Sequence, residues 1–238
     1  MQQIPVLCFP FAGAGASVYR RCQEYGSDTV LITPVQLPGR EERFGEPLHT
    51  DVVTAVDDLL PSVLDRIAGS PAVALFGHSL GAVLAYEMAH RLCALGRPEV
   101  VKLIVSGSPG PWTQRRTRAT GLTDEAFLAQ VREFAGYTHP ALEHPDLREM
   151  LLPPLRADVE MHENYRAPAG KPLPVPVVSV RGDHDELVSR DEAGEWEAAT
   201  TGAYHHAELP GGHMYVVESP DGLMRLLDAE LAGLAVRR

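Results

Sequence analysis

The chain has 238 residues and a formal net charge of −11, with 45% hydrophobic against 22% charged residues. This balance predicts one folded domain with a substantial core and excludes a disordered chain. The acidic charge argues against a nucleic-acid-binding protein, because contacts with phosphates need a basic surface.

No apolar run reaches the roughly 18 to 20 residues of a membrane helix. Residues 1–5 lack the basic segment and apolar stretch of a secretory signal. Cys8, Cys22 and Cys93 are odd in number and lack metal-ligand spacing, so we expect free thiols in a reducing compartment. The sequence therefore predicts a cytoplasmic protein without a membrane span, a metal or a resident cofactor, and we expect a monomer.

Predicted strands and helices alternate along the chain. Apolar runs predict strands at residues 6–9, 30–35, 72–76, 100–106, 175–180 and 204–209. Several runs are continuous, as expected for parallel strands buried on both faces. Helices are predicted at residues 51–67, 80–95, 189–199 and 219–234. This order predicts an α/β fold with a mostly parallel central sheet and helices on both faces.

Residues 109–174 interrupt the alternation. The segment has no strand signal and many prolines, and it predicts two helices at residues 123–134 and 147–165. An insertion of this length is too long for an ordinary loop, so we expect it to have a function of its own. The prediction is therefore a single domain, residues 1–238, whose core is formed by residues 1–108 and 175–238 and which carries a helical insertion.

Residues 77–81 match the pattern G-x-S-x-G, with Ser79 at its centre. A predicted strand runs directly into the pattern and a predicted helix leaves it, so Ser79 is expected on a sharp strand-to-helix turn at the carboxyl edge of the sheet. In this position we predict a nucleophile rather than an ordinary turn residue. The N–H of Leu80, the next residue, is then one donor to an oxyanion.

A serine nucleophile needs a base, and we select one of the ten histidines. His213 follows the last predicted strand in the run Leu-Pro-Gly-Gly-His, where this fold places its catalytic histidine. The other histidines lie in a strand, in the insertion or before a helix, and the side chain of His78 is expected to point elsewhere. His213 is therefore the predicted general base.

Two aspartates compete for the acid that orients the base. The turn after the fifth predicted strand contains Gly182, Asp183, Asp185 and Val188. The register G-x-x-D-x-x-V, common in hydrolases of this fold, selects Asp185. Asp183 is the alternative and is otherwise expected to shape the turn. A metal site at residues 183–185 is disfavoured, since no complementary ligand cluster accompanies it.

A second oxyanion donor is expected from the loop at residues 9–15, after the first strand. We select the N–H of Ala12, with Phe11 as the alternative. The glycines of this loop do not form a dinucleotide-binding pattern, because position 18 is Val and no acidic residue ends the next strand.

The whole chain resembles a known family, the type II or editing thioesterases of polyketide synthases and non-ribosomal peptide synthetases. The resemblance rests on residues 8–13, 37–43, 77–81, 155–161 and 209–213, together with Tyr165. It implies an α/β-hydrolase fold, a Ser79–Asp185–His213 triad and a helical lid at about residues 109–174. One departure is Ala-Gly-Ala-Gly in the loop after the first strand, where the family often has Ala-Gly-Gly, so the second oxyanion donor is open to a shift by one position.

The resemblance further implies removal of stalled or wrong acyl groups from the phosphopantetheine arm of acyl or peptidyl carrier domains. The pantetheine then belongs to the substrate, and the enzyme needs no cofactor. The alternatives are a carboxylesterase or lipase acting on oxyesters, an acyltransferase with the same triad, and a carrier-binding protein without turnover.

Two groups of residues are assigned to substrate and partner contacts. An apolar acyl pocket is expected from Phe11, Phe134, Met150, Met161 and Met214, with simple packing as the alternative. Arg115, Arg116 and Arg118 form a basic patch whose hypothetical partner is the acidic carrier domain or the pantetheine phosphate. A solvated loop is the simpler interpretation of that patch.

Overall fold

The computed structural model describes residues 3–113, 117–135, 140–168 and 171–234. Within these residues six strands form one sheet: β1 (Ile4–Phe9), β2 (Val30–Pro34), β3 (Ala72–His78), β4 (Glu99–Ser106), β5 (Val177–Gly182) and β6 (Tyr204–Leu209). Their order across the sheet is β2-β1-β3-β4-β5-β6, and every neighbouring pair is parallel. All six strands were predicted from the sequence, and the predicted parallel sheet is confirmed.

Helices cover both faces of this sheet. In the described residues they are α1 (Arg20–Tyr25), α2 (Val52–Arg66), α3 (Leu80–Leu95), α4 (Asp124–Ala135), α5 (Pro145–Asn164), α6 (Arg190–Gly194), α7 (Tyr215–Glu218) and α8 (Pro220–Leu231). The side chain of Asp51 caps α2 by accepting the N–H of Thr54 at 2.8 Å. This cap satisfies an amide that has no partner inside the helix.

Successive residues of the central strands enter opposite cores. Leu7 and Phe9 of β1 pack with α2 and α3 in one core, whereas Val6 and Cys8 pack with α1 and α8 in the other. The side chains of a strand alternate between its faces, so a strand covered on both faces needs an apolar residue at every position. This requirement explains the continuous apolar runs seen in the sequence.

The described chain between β4 and β5 contains the helices α4 and α5, a short 3-10 helix (Pro140–Glu143) and connecting turns. We call residues 109–174 the helical insertion. Part of it has a small core of its own, made by Ala119, Phe127, Leu128, Leu142, Leu152 and Leu155. Ala12, from the loop after β1, packs against this core from the main body of the protein. The insertion thus forms a layer that meets the body both at that loop and at α3, where Met161 and Tyr165 join the main core.

Two features differ from the sequence prediction. The helix expected at residues 189–199 is split into α6 and a 3-10 helix (Glu195–Ala199), in which Trp196 is fully buried. The short helices α1 and α7 were missed, since each spans too few residues to show a helical period.

In the described part of the chain, none of the helices has the length and apolar character to span a membrane. The three cysteines are free thiols.

Candidate active site

Ser79 occupies a sharp turn between β3 and α3. Its backbone has φ +54° and ψ −116°, a combination that residues with a side chain rarely adopt. The flanking glycines make the turn possible, because a Cβ on Gly77 would lie 1.9 Å from the carbonyl oxygen of Gly81. The Ser79 N–H donates to the carbonyl of Ser106 at 2.8 Å, which ties the turn to β4. Strain of this kind presents a serine hydroxyl at the edge of a sheet.

His213 and Asp185 are in direct contact. His213 Nδ1 lies 2.8 Å from Asp185 Oδ2, and both side chains are buried. An ionised carboxylate only accepts hydrogen bonds, so Nδ1 carries the hydrogen and Nε2 keeps a lone pair for a proton from a nucleophile. The structure thus brings together the two residues that were predicted as base and acid, and this contact is made by Asp185 rather than Asp183.

The acid is held by its own turn. Asp185 Oδ1 accepts the N–H groups of Leu187 and Val188 at 2.9 and 3.1 Å. Burial acts to raise the pKa of Asp185, but the hydrogen bond from His213 and the two amides outweigh it and hold the pKa below its ordinary value. The carboxylate therefore stays ionised and can stabilise an imidazolium beside it.

Arg181 supports the acid turn from the end of β5. Its Nε donates to the carbonyl of Val188 at 2.9 Å and its Nη2 to the carbonyl of Asp185 at 2.8 Å. Its Nη1 donates to Glu208 at 2.6 Å, which fixes the guanidinium against β6. Sequence reasoning missed this residue. A charged side chain in a mostly apolar strand, just before the acid turn, is the signal that would have found it.

Asp183 joins the acid turn to the loop that carries the base. Its Oδ1 accepts the N–H of Gly211 at 2.9 Å and lies 2.7 Å from Nδ1 of His184, while the side chain is 42% exposed. The two loops approach closely, since a Cβ on Gly182 would lie 2.3 Å from the carbonyl oxygens of Gly211 and Gly212. Asp183 thus shapes the turn, which was the alternative role predicted for it.

His78 packs against the ring of the predicted base. The ring centroids of His78 and His213 are 4.9 Å apart. His78 Nδ1 lies 2.8 Å from Ser106 Oγ, which lies 2.6 Å from the hydroxyl of Tyr215. A Cβ on Gly107 would lie 2.5 Å from His78 and 3.0 Å from His213. The expectation that His78 points away from the site is therefore wrong, because the small residues after β4 leave room for both rings.

The loop after β1 crosses the start of α3. A Cβ on Gly81 would lie 2.2 Å from the carbonyl oxygen of Phe9, so the two backbones are in contact there. The loop then turns back, with the Ala14 N–H donating to the carbonyl of Phe11 at 3.0 Å. This path places the loop beside Leu80, the first residue of α3.

The amide of Gly13 in this loop is already engaged. It donates to the carboxylate of Asp158, on α5, at 2.7 Å. With this amide engaged, Ala12, with Phe11 as its alternative, stays the predicted second donor. A shift by one position toward Gly13, which the Ala-Gly-Ala-Gly departure left open, does not fit this hydrogen bond.

A cavity of about 400 Å³ adjoins the same loop. Its wall is mostly apolar, and the carboxylate of Glu41 in that wall accepts the N–H of Ser17 at 3.2 Å. The main body contributes Phe11 and Met214 to the wall, as the sequence predicted. The helical insertion contributes Leu128, Val131, Leu142, Leu151 and Leu155.

Met150 and Met161 lie outside this wall, which corrects their prediction as pocket residues. Met150 is 51% exposed, and Met161 is buried in the core that contains α3. Both lie about 80° to 100° around α5 from Leu151, which lines the cavity, at about 100° per residue. The side chain of Phe134 lies outside the described residues.

The predicted basic patch falls partly outside the described residues, which exclude Arg115 and Arg116. Arg118 donates to Oδ1 of Asn164 at 2.6 Å, and its Nε lies 3.6 Å from the buried carboxylate of Glu163. The contacts of Arg118 are thus made within the insertion. In the described part of the chain, no group of three or more histidine, cysteine or acidic side chains is arranged to hold a metal ion.

Comparisons with known proteins agree with this geometry. The Thioesterase domain family model matches residues 4–231. A probable cadicidin biosynthesis thioesterase of Streptomyces griseus is 33% identical over 92% of this chain, which spans 60% of that relative's length.

Two solved structures are also similar. RedJ, a thioesterase from the prodiginine pathway of Streptomyces coelicolor, has a TM-score of 0.87 and 32% identity, with 96% of this chain and 90% of RedJ covered. BorB, a type II thioesterase from the borrelidin cluster, has a TM-score of 0.81 and 32% identity, with 97% and 92% covered. The resemblance to type II thioesterases, which the motifs predicted, is confirmed. The chain therefore belongs to the thioesterase family and has its α/β-hydrolase fold.

Proposed function

We propose that this chain hydrolyses acyl thioesters on the phosphopantetheine arm of carrier proteins, and so removes stalled or wrong acyl groups during polyketide or non-ribosomal peptide biosynthesis. The observation that carries the proposal is the 2.8 Å contact between His213 and Asp185, with the His213 ring packed against His78, the residue before the strained turn of Ser79. The similar proteins from the cadicidin, prodiginine and borrelidin pathways support the choice of substrate.

In the first half of the reaction, Ser79 Oγ attacks the thioester carbonyl carbon while His213 takes its proton. The N–H groups of Leu80 and Ala12 bind the oxygen that becomes negative. Asp185 stabilises the imidazolium and keeps its own charge. The carbon–sulfur bond then breaks, and His213 returns the proton to the leaving sulfur. A thiol has a pKa of about 8.5, so this departure demands less of the acid than the loss of an alkoxide.

In the second half, His213 activates a water molecule that attacks the acyl group on Ser79. The same two amides bind the second oxyanion, and collapse releases the free acid and restores the serine hydroxyl. The reaction consumes one water molecule and yields one carboxylic acid and one carrier thiol.

The cavity beside Ala12 suits an enzyme that accepts many acyl groups. Its wall is mostly leucine, valine and other apolar side chains, and the carboxylate in it is already bonded to Ser17. An apolar wall discriminates weakly between acyl chains that differ by one or two carbons, which is what an editing enzyme requires. A carrier domain as partner is part of the proposal, and a cytoplasmic location and a monomeric state stay predictions.

The test is thiol release from a short acyl group on a phosphopantetheinylated carrier protein, compared with a matched oxyester. We expect faster cleavage of the carrier thioester and no turnover by Ser79→Ala. Mass spectrometry identifies the product, which is the free acid for a hydrolase and a new ester or amide for an acyltransferase. Turnover of the oxyester alone would contradict the proposal and indicate a general esterase.

A further inference from the structure

One buried carboxylate of the helical insertion has no role in the reaction steps above. Asp158, on α5, is fully buried. Its Oδ1 accepts Nη2 of Arg40 at 2.8 Å, and its Oδ2 accepts Nη1 of Arg40 as well as the Gly13 N–H, the latter at 2.7 Å. The carboxylate therefore connects α5, the loop after β2 and the loop after β1.

Arg40 is buried as well, and backbone carbonyls fix its orientation. Its Nη1 donates to the carbonyl of Ala14 at 3.2 Å and its Nε to that of Pro38 at 3.3 Å. Two parallel hydrogen bonds between a guanidinium and a carboxylate define the position of both groups. Because desolvation of two charges offsets much of their attraction, a buried ion pair adds little net stability. This pair therefore serves position more than stability.

The position that the pair controls is a tight turn. The carbonyl of Phe11 accepts the Ala14 N–H at 3.0 Å, and Gly13, the third residue, has φ +79° as a type II turn requires. In a trans peptide the N–H points opposite to the carbonyl, so the Ala12 N–H points out of the turn. The Gly13 N–H belongs to the central peptide, which distinguishes type I from type II turns. Asp158 holds that N–H in place.

The same face of α5 touches both the turn and the acyl cavity. Leu155 lies three residues before Asp158 and so on the same side of the helix. A Cβ on Gly13 would lie 2.9 Å from Cδ1 of Leu155, so Leu155 packs directly on the turn. Leu155 also lines the cavity. Displacement of α5 would therefore move the cavity wall and the turn together.

We propose that Asp158, held by Arg40, is a positioning residue for the oxyanion hole, and that it couples the placement of α5 over the acyl cavity to the reactivity of Ser79. This inference rests on the proposed function, because it takes the Ala12 N–H as an oxyanion donor. It also gives one physical role to residues 37–43 and 155–161, two of the segments on which the resemblance to type II thioesterases rests.

The test measures how fast a fluorophosphonate labels Ser79. The serine oxygen attacks phosphorus, fluoride leaves, His213 takes the proton and the phosphoryl oxygen occupies the oxyanion site. The rate thus reports on the hole without acyl recognition. We expect Asp158→Asn to lower this rate and kcat on a carrier thioester by about 10- to 100-fold, less than the loss of a whole oxyanion donor. The change in kcat should exceed the change in KM, because the Ala12 N–H binds the developing oxyanion more strongly than the carbonyl of the bound substrate.

Two further variants complete the test. Arg40→Lys keeps the positive charge but loses the two parallel hydrogen bonds of the guanidinium. We therefore expect a smaller decrease, about three- to tenfold, in the labelling rate and in kcat. The matched control is Asp124→Asn, which breaks an ion pair of the same insertion that lies at its surface, 2.6 Å from Arg156. Asp124→Asn should stay within about twofold of the wild type, as expected for an exposed pair.

Thermal unfolding identifies which variants fold. An unchanged labelling rate in folded Asp158→Asn, or a rise in KM alone, overturns the inference. If Asp158→Asn does not fold, an unchanged labelling rate in Arg40→Lys overturns it. A wild-type protein that is labelled rapidly but leaves carrier thioesters intact contradicts the proposed function, while the comparison of variants remains valid.

Discussion

The predicted triad and the cavity beside Ala12 are held in place by different kinds of contact, and we call these two regions the reaction side and the acyl side. On the reaction side, Ser79, Asp185 and His213 sit at the carboxyl edge of one parallel sheet, fixed by backbone hydrogen bonds and by close approach of glycines. On the acyl side, the wall comes largely from the helical insertion, which has its own small core and reaches the loop after β1 through Leu155 and Asp158.

This difference indicates a division of labour. Strand register sets the reaction side, so a change there should lower turnover for every acyl chain. The acyl side depends on how one layer packs on another, so a change there should alter which chains are accepted. The Asp158 variants described above test the connection between the two sides, and the following predictions test each side by itself.

The largest effect is expected from Asp185→Asn. An asparagine favours the wrong tautomer of His213 and no longer stabilises its cation, so we expect kcat to fall by about 10³- to 10⁴-fold for short and long acyl chains alike. Asp183→Asn is the matched control, because Asp183 bonds to the N–H of Gly211 and is half exposed. Steady-state kinetics on one carrier thioester series measures both. A larger fall of kcat in Asp183→Asn than in Asp185→Asn would indicate that Asp183, and not Asp185, is the acid of the triad.

A smaller, selective effect is expected from Leu151→Trp. The larger side chain would fill part of the cavity and displace about two methylene groups of a long acyl chain, each contributing about 0.8 kcal/mol. We therefore expect kcat/KM to fall about tenfold for acyl chains of roughly eight carbons or more, with little change for acetyl.

Met150→Trp is the control for that variant. Met150 neighbours Leu151 on α5 but is 51% exposed and lies outside the cavity wall. The Met150→Trp variant should leave the dependence of kcat/KM on acyl chain length unchanged. If the wild type and Leu151→Trp had the same dependence of kcat/KM on acyl chain length, the cavity would not be the binding site of the acyl chain.

The smallest effect concerns stability in acid. Burial acts to raise the pKa of Asp185, but its hydrogen bonds prevail and hold the pKa below the ordinary value. Its charged form therefore stabilises the fold above the unfolded-state pKa of about 3.9, and this contribution is lost as the pH falls through the lower folded-state pKa. We expect the free energy of unfolding to decrease below about pH 4, and to decrease less steeply in Asp185→Asn.

Asp158, in the helical insertion, provides the contrast. Burial raises the pKa of Asp158 above its ordinary value, against the opposing effect of Arg40 and the Gly13 N–H. The sign of its contribution is then opposite, since stability is lost as the pH rises through the folded-state pKa. Asp158→Asn should therefore not flatten the acid slope. Urea denaturation between pH 3 and 6 measures the free energy of unfolding of both variants. If its dependence on pH were flattened in Asp158→Asn alone, the lowered pKa would belong to Asp158 rather than to Asp185.

The sequence by itself determined the features that depend on short stretches of chain. Apolar runs predicted all six strands, and several of these runs are continuous because a strand covered on both faces has few polar positions. The G-x-S-x-G pattern placed Ser79, since only small flanking residues allow that turn. Asp185 and His213 followed from their registers after the fifth and sixth strands, because parallel strands all end at one edge of the sheet.

Only the tertiary structure decided what depends on packing between distant segments. The contact between Asp158 and Gly13 joins residues 145 positions apart, and no local pattern specifies it. The rotation of α5 decided that Leu151 and Leu155 line the cavity while Met150 and Met161 do not, because apolar residues on neighbouring faces of a helix look alike in sequence. His78 packs against His213 because Gly107, just after β4, leaves space for both rings. Such close packing is a property of the whole fold, and it becomes visible only when all segments are in place.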